Sequence, residues 1–458
     1  MIKKLLDFLP GKKKKAPPQP QLKIIARAEH NVSRNDISEY ALKVLYRLNK
    51  SGYEAYLVGG GVRDLLLGQH PKDFDVATSA HPEEVQALFK NARLIGRRFK
   101  LVHVLFGREI IEVATFRGQE DEEEESDSKL RKSSEHGLIL RDNVYGTIEE
   151  DALRRDFTVN ALYYCVKDFS IHDYANGLKD IQSRTLRLIG DPEARYREDP
   201  VRMLRAVRFA TKLGFTIAPE TRRPIAGMGE LLGHIPAARL FEEVLKLFMS
   251  GHALANFHLL RELGLFQYLF PDTDACLKSG DPHKLSFIEI ALRNTDERIQ
   301  SNKPVTPAFL FATLLWFPLQ KEWDRLKQAG HSEFPSLHLA AQHVMDAQSN
   351  ATSIPKRFGI PMKEVWEMQL RLPKRAGKRA EQTITHPRFR AAYDFLMLRE
   401  EAGENLDGLG KWWTEYQSAE PHKRSKLANS TENTGRKRPP RKNNRPRRAP
   451  PADSRQNG

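Results

Sequence analysis

Residues 56–68 read Tyr56-Leu57-Val58-Gly59-Gly60-Gly61-Val62-Arg63-Asp64-Leu65-Leu66-Leu67-Gly68. An apolar run passes into three glycines and then into an amphipathic turn of helix. Glycine tolerates positive φ and carries no side-chain bulk. Such a turn lets backbone approach a polyphosphate, whose charge suits a helix N-terminus. A tight strand-to-helix turn with no ligand has the same composition. The next segment, Lys72-Asp73-Phe74-Asp75-Val76-Ala77-Thr78, separates the two readings. Alternate side chains of a strand share a face, so Asp73 and Asp75 point one way and Phe74 and Val76 point into the core. Two carboxylates held together repel, and a divalent cation such as Mg²⁺ removes that penalty. An isolated Asp-x-Asp reads as an exposed acidic strand end. After a glycine turn it reads as a two-metal centre for phosphate chemistry.

Two further carboxylates are candidates for the same centre. Glu112 interrupts the apolar run Ile110-Ile111-Glu112-Val113-Ala114-Thr115. It faces either solvent or a metal. Asp156 lies in Arg154-Arg155-Asp156-Phe157-Thr158-Val159-Asn160-Ala161-Leu162, where a helix N-cap is the simplest role and a catalytic one is compatible with it.

Working outward, helical spacing of Ile37, Ala41, Leu45 and Leu48 precedes the glycine turn. Short strands are expected at 55–58, 74–77, 102–105 and 110–115. Seven of the eight residues 120–127 are acidic, which reads as a solvated loop. From about residue 199 the pattern is helical. Met203, Val207, Ala210 and Leu213 form one stripe, stopped by Gly214, and Leu240, Val244, Leu247 and Phe248 form another. Further helices are expected near 288–299, 308–316, 337–347 and 389–398. Adjacent Trp412 and Trp413 read as partly buried anchors or as stacking platforms for bases.

A chain of 458 residues is too long for one ordinary core. Its formal net charge of +15 favours an anionic partner, with nucleic acid ahead of a membrane surface. Residues 421–458 hold twelve Lys/Arg against two Asp/Glu, so most of the excess is a basic tail. Both this tail, from about 417, and the Lys- and Pro-rich residues 1–35 are expected to be disordered. The two cysteines, Cys165 and Cys276, are too few for a disulfide framework or a zinc cluster and fit a reducing cytoplasm. No run approaches the ~20 apolar residues of a membrane span. The opening MIKKLLDFLPGKKKK imitates a signal peptide, but Asp7 and Pro10 break its apolar stretch.

Four segments in this order resemble a known family: Gly59–Asp64, the Asp73/Asp75 pair, Arg154–Leu162, and Glu198-Asp199-Pro200-Val201-Arg202-Met203-Leu204-Arg205-Ala206-Val207-Arg208-Phe209-Ala210. They are similar to the class II nucleotidyltransferases, bacterial poly(A) polymerases and tRNA CCA-adding enzymes. The resemblance implies an α+β chain: a polymerase-β-like palm head at 36–190, a helical neck at 191–250 and a helical body at 251–416. It implies that Asp73 and Asp75 hold Mg²⁺ and that Asp156 belongs to the active site. Gly60, Gly61, Arg63, Arg154, Arg155 and Asn160 would face the nucleotide. Asp199 and Arg202, with Arg205 behind them, would read the base. The triple glycine, the Gly96-Arg97-Arg98-Phe99 run, Pro355-Lys356-Arg357, residues 374–379, His386-Pro387-Arg388-Phe389 and the basic tail resemble the poly(A) polymerase branch. That branch implies ATP and RNA 3′ ends as substrates and components of the RNA decay machinery as partners. A CCA-adding enzyme is the nearest alternative, a non-catalytic RNA-binding regulator or a membrane-attached adaptor a remoter one.

Overall fold

The computed structural model of the chain describes residues 22–96, 100–118 and 144–430. The acidic run, residues 97–99 and most of the basic tail lie outside these. The N-terminal half is built on one eight-stranded sheet. Its strands are β1 (Lys23–Ile25), β2 (Ala55–Val58), β3 (Asp75–Thr78), β4 (Ala92–Ile95), β5 (Leu101–Phe106), β6 (Glu109–Thr115), β7 (Leu162–Cys165) and β8 (Ile171–Asp173). They lie in the order β1-β8-β7-β2-β3-β6-β5-β4. Only the β3–β6 pair is parallel; every other neighbouring pair in this sheet is antiparallel.

One face of the sheet packs into the main core, with Leu57, Val76, Val102, Ile111 and Val113 almost fully buried. Helix α1 (Glu39–Lys50) covers it, presenting Ala41, Val44, Leu45 and Leu48 as the spacing predicts. The other face carries a smaller cluster that includes Tyr56, Val58, Ala77, Phe116 and Tyr163. The helices α2 (Gly60–Leu66), α3 (Pro82–Leu88), α4 (Ile148–Arg154), α5 (Gly177–Gln182), α6 (Pro192–Glu198) and α7 (Val201–Leu213) follow in turn. Gly214 ends α7 at φ +65°, the left-handed cap that favours glycine. Beyond it the described chain is helical apart from the two-residue strand Thr216–Ile217, which pairs in parallel with Thr185–Leu186. The main core continues without a break into these helices as far as Ala402.

Three expectations need correction. Residues 22–35 are structured: β1 pairs with β8, and Ile25 and Val32 are each 1% exposed. The sheet edge supplies backbone partners, and Ile25 supplies a buried anchor. Residues 421–430 form a helix rather than a disordered start of the tail. Its Ala428 is buried, and Arg424 donates to the carbonyls of Tyr416 and Gln417. Strands β1, β4, β7 and β8 were not anticipated at all, because strands of three or four residues, whether buried as β7 and β8 or largely exposed as β1 and β4, are too short to show a period of their own. The twin tryptophans are anchors. Trp413 is fully buried and donates to the Leu372 carbonyl, while Trp412 stacks on Tyr416.

Candidate active site

The glycine turn caps α2. Gly59 has φ +70° and ψ −135°, a backbone conformation closed to side chains. A Cβ there would also lie 3.3 Å from Nη1 of Arg155. Gly60 and Gly61 are less demanding. A Cβ on Gly61 would meet the Asp73 carbonyl at 3.6 Å, ordinary contact, so this glycine lets α2 lie against the chain entering β3.

Strand β3 begins at Asp75, and Asp73 precedes it by two residues. Phe74 and Val76 are buried in the main core, which turns Asp73 and Asp75 to the opposite face. The parallel register sets Asp75 beside Glu112 of β6. Glu112 in turn lies 3.6 Å from Nε2 of His103. The crowding of these carboxylates is electrostatic. The Asp75 carboxyl is pushed up to about 6, first because surrounding protein displaces water, then by the Glu112 carboxylate and by Asp73, against the pull of Arg155. Among the described residues no group of three or more His, Cys, Asp or Glu is already arranged around a point as a metal cage. Asp73 and Asp75, with Glu112 adjacent, nonetheless fit a divalent cation that keeps waters or substrate phosphate in its shell. Their repulsion is the feature such an ion relieves.

Asp156 belongs to a different arrangement. Its Oδ1 accepts from the Phe157 amide and from Nδ2 of Asn160, and its Oδ2 accepts from Nε of Arg205 at 2.7 Å. Burial opposes its charge, but Arg205, Asn160 and the Phe157 amide hold the carboxyl below its ordinary range. Both oxygens are therefore committed to protein donors. Asn160 passes the network on, its Oδ1 accepting from Nη1 of Arg63, whose Nε and Nη2 bind Asp64. Arg63, Arg205 and Arg208 all lie within 5.3 Å of the Phe209 ring. Arg208 has a buried Nε with no partner among the described residues, and burial followed by neighbouring Arg205 depresses its basicity. This wall of guanidinium groups stands next to the glycine turn and suits a polyphosphate.

The remaining sequence candidates sit as follows. Arg155 donates to Asp151 at 3.0 Å and to the Tyr163 hydroxyl at 2.8 Å, and that hydroxyl donates to the same carboxylate. Burial works against the Arg155 charge, but Tyr163 and Asp151 outweigh it. Arg154 donates to the Gly118 carbonyl. Arg202 donates to Glu198 and to the Arg195 carbonyl, both at 2.7 Å. Asp199 accepts from Arg239 at 2.7 Å through Oδ2 and from the Val201 amide through Oδ1. The expected sites thus fall into three groups: a carboxylate face, a guanidinium wall and the Asp199/Arg202 pair around the start of α7.

Three sequence profiles match the chain: Poly A polymerase head domain over residues 55–187, Probable RNA and SrmB-binding site of polymerase A over 214–277, and Polymerase A arginine-rich C-terminus over 329–449. The chain is 51% identical over 454 residues to Poly(A) polymerase I of Escherichia coli O6:H1, covering 98% of this chain and 97% of that one. The chain belongs to the bacterial poly(A) polymerase family. It is an enzyme of the polynucleotide adenylyltransferase class. The CCA-adding enzyme of Lactobacillus gasseri is 40% identical over 225 residues, 49% of this chain and 54% of that one. The crystal structure of the Bacillus stearothermophilus CCA-adding enzyme in complex with CTP has a TM-score of 0.54 and 27% identity, covering 81% of this chain and 80% of that one.

Within this poly(A) polymerase family member, sequence reasoning missed Arg239, Arg195, Asp151 and Tyr163. Arg239 pairs with a residue forty positions away and lies in no motif, so nothing in the sequence signals it. Asp151 stands four residues before Arg155, a helical spacing that was available to be read. Arg195 donates to the Arg154 and Arg155 carbonyls and so fixes the backbone between α4 and α6.

Proposed function

We propose that this chain adds AMP from ATP to RNA 3′ ends without a template, at a centre where Asp73 and Asp75 hold Mg²⁺. The observation that carries the metal assignment is the parallel register that sets Asp75 beside Glu112, with Asp73 turned away from the core alongside Asp75. Bound there, Mg²⁺ would lower the pKa of the attacking hydroxyl and stabilise the leaving pyrophosphate. Glu112 is the better third carboxylate, since Asp156 already has its donors. Asp156 then acts as a positioning residue: it holds Arg205 and Asn160, and through Asn160 it orients Arg63 toward the triphosphate. Gly59 keeps the turn open at that wall, aided by Gly60 and Gly61, while Arg154, Arg155 and Arg208 add positive potential.

Adenylate preference is supported by the state of the base-facing pair. Both members of the pair are held by protein partners, Asp199 by Arg239 and Arg202 by Glu198, which sets one donor–acceptor arrangement at the start of α7. A donor–acceptor pair held in one pose fits the Watson–Crick edge of one base. A site that serves two bases needs a donor–acceptor pair free to reorient. The same reading divides the chain into a head through about residue 190, a neck to about 250 and a body beyond it, with the basic tail adding phosphate contacts. RNA decay proteins are proposed partners and the cytoplasm the proposed location. Two buried, unpaired cysteines fit that compartment. No helix among the described residues is long and apolar enough to cross a membrane.

The test is a tRNA lacking its 3′ end, offered ATP and CTP separately. The proposal expects a lengthening run of AMP with ATP and little product with CTP. Addition of CTP that stops after a few nucleotides would refute it in favour of the CCA-adding reading.

A further inference from the structure

A cleft of about 400 Å³ lies beside the carboxylates on the side away from the glycine turn. Its walls are Lys72, Asp73, Phe74, Arg108, Glu109 and Ile110. The sheet order explains its position. The glycine turn leaves from β2, on one flank of β3, while β6 and the β5–β6 turn stand on the other. Ile110 precedes Glu112 by two residues and so shares the face of Asp75 and Glu112.

The lining offers two cations and an apolar surface between two carboxylates, Asp73 of the proposed metal centre and Glu109, which accepts from Ser38. Lys72 and Arg108 are both exposed, and among the described residues neither has an ion-pair or hydrogen-bond partner. Ile110 is 46% exposed, an apolar surface for a base or ribose. The turn itself is braced. Ser38, the N-cap of α1, donates to Glu109, and Tyr40 stacks on Phe106 with centroids 4.5 Å apart. A braced turn carrying a free cation is suited to holding a phosphate in a set place.

In-line transfer requires the attacking hydroxyl and the leaving pyrophosphate on opposite sides of the α-phosphate. With the guanidinium wall on the β2 side, the acceptor strand must enter from the β6 side. We infer that this cleft receives the 3′-terminal nucleotides of the RNA acceptor, with Lys72 and Arg108 as its phosphate contacts. The inference rests on the proposed adenylate transfer for its geometry, and its test does not need turnover.

The experiment measures binding of labelled oligoadenylate and oligouridylate to the full chain by anisotropy, without nucleotide, across a salt series. Each phosphate contact on a single strand contributes about 0.7 to the slope of log K against log salt. The double variant Lys72→Ala/Arg108→Ala should lower the slope by about 1.4 for both RNAs alike. Lys72→Arg should keep the wild-type slope. In turnover the double variant should raise the KM for acceptor RNA and leave the KM for ATP unchanged. An unchanged slope, or a KM for ATP that rises in step with that for RNA, would overturn the inference. If the double variant does not fold, Arg108→Gln on the exposed turn should lose half of the slope change, and no loss there would overturn it equally. A wild-type chain that binds RNA with this cation-dependent slope yet adds no AMP would refute the transfer reading and leave the subsite standing.

Discussion

The carboxylate face and the Asp156 network use the same residue types in opposite ways. Around Asp156 the carboxylates are paired: Arg205 on Asp156, with Asn160 adding a hydrogen bond, and Arg63 on Asp64. Around Asp75 the nearest carboxylates are like charges, and only Arg155 offsets them from a distance. Their acid behaviour diverges accordingly, with Asp75 pushed up to about 6 and Asp156 held below its ordinary range. A fold gains from the second arrangement and is weakened by the first. On the proposed function, the first would be relieved by a bound metal ion, and the second would hold Asn160, Arg63 and Arg205 in place beside it.

The comparison breaks most visibly at the metal face. Asp73→Ala should lower the rate of AMP addition about a thousandfold, roughly 4 kcal/mol of transition-state stabilisation, with RNA affinity retained. Quenched-flow primer extension alongside anisotropy checks both halves. In the network, Asp156→Ala strands Arg205 without its carboxylate. It should cost roughly 3 kcal/mol of stability in denaturant melts and raise the KM for ATP by loosening Asn160, Arg63 and Arg205, whereas Asp156→Asn should recover part of both losses. Equal stability of the alanine variant and the wild type would erase the distinction.

Two smaller effects sharpen it. Arg239→Ala releases Asp199 and should raise CTP use relative to ATP about tenfold, roughly 1.4 kcal/mol, read from competing nucleotides in one extension assay. The pH dependence separates the regions further. Because the Asp75 value is raised in the fold, its charged form costs stability above about 6, and acid relieves that cost while removing a metal ligand. The gain in Tm from added Mg²⁺ should therefore be present at pH about 7.5 and largely lost at pH about 5. Asp156 has a lowered value, so its stabilisation persists at both of those pH values and is lost only below the ordinary carboxylate range.

What could be read from the sequence follows the same division. The glycine turn, the Asp73/Asp75 pair and the α7 arginines are local patterns, and a strand or helix period fixes which way they point. Strand β2 was predicted to the residue. The placement of β1 was not, because its support comes from β8, almost 150 residues away. Glu112 could be suspected from an interrupted apolar run, but its place beside Asp75 depends on the parallel β3–β6 register. Asp156 was read as a capping or catalytic carboxylate, while its pairing with Arg205 joins two segments 49 positions apart. The tie between Arg239 and Asp199 is of the same kind. Local chemistry is legible, and the partners that decide which charge is free are not.

The most direct test is Asp75→Asn, measured for both rate and stability. The amide keeps the shape and removes one of the repelling charges. The account predicts a metal-free Tm above that of the wild type together with a single-turnover rate of AMP addition lowered by about a thousandfold. A lower Tm with a near-normal rate would contradict it, because Asp75 would then be a structural carboxylate and the metal centre would lie elsewhere.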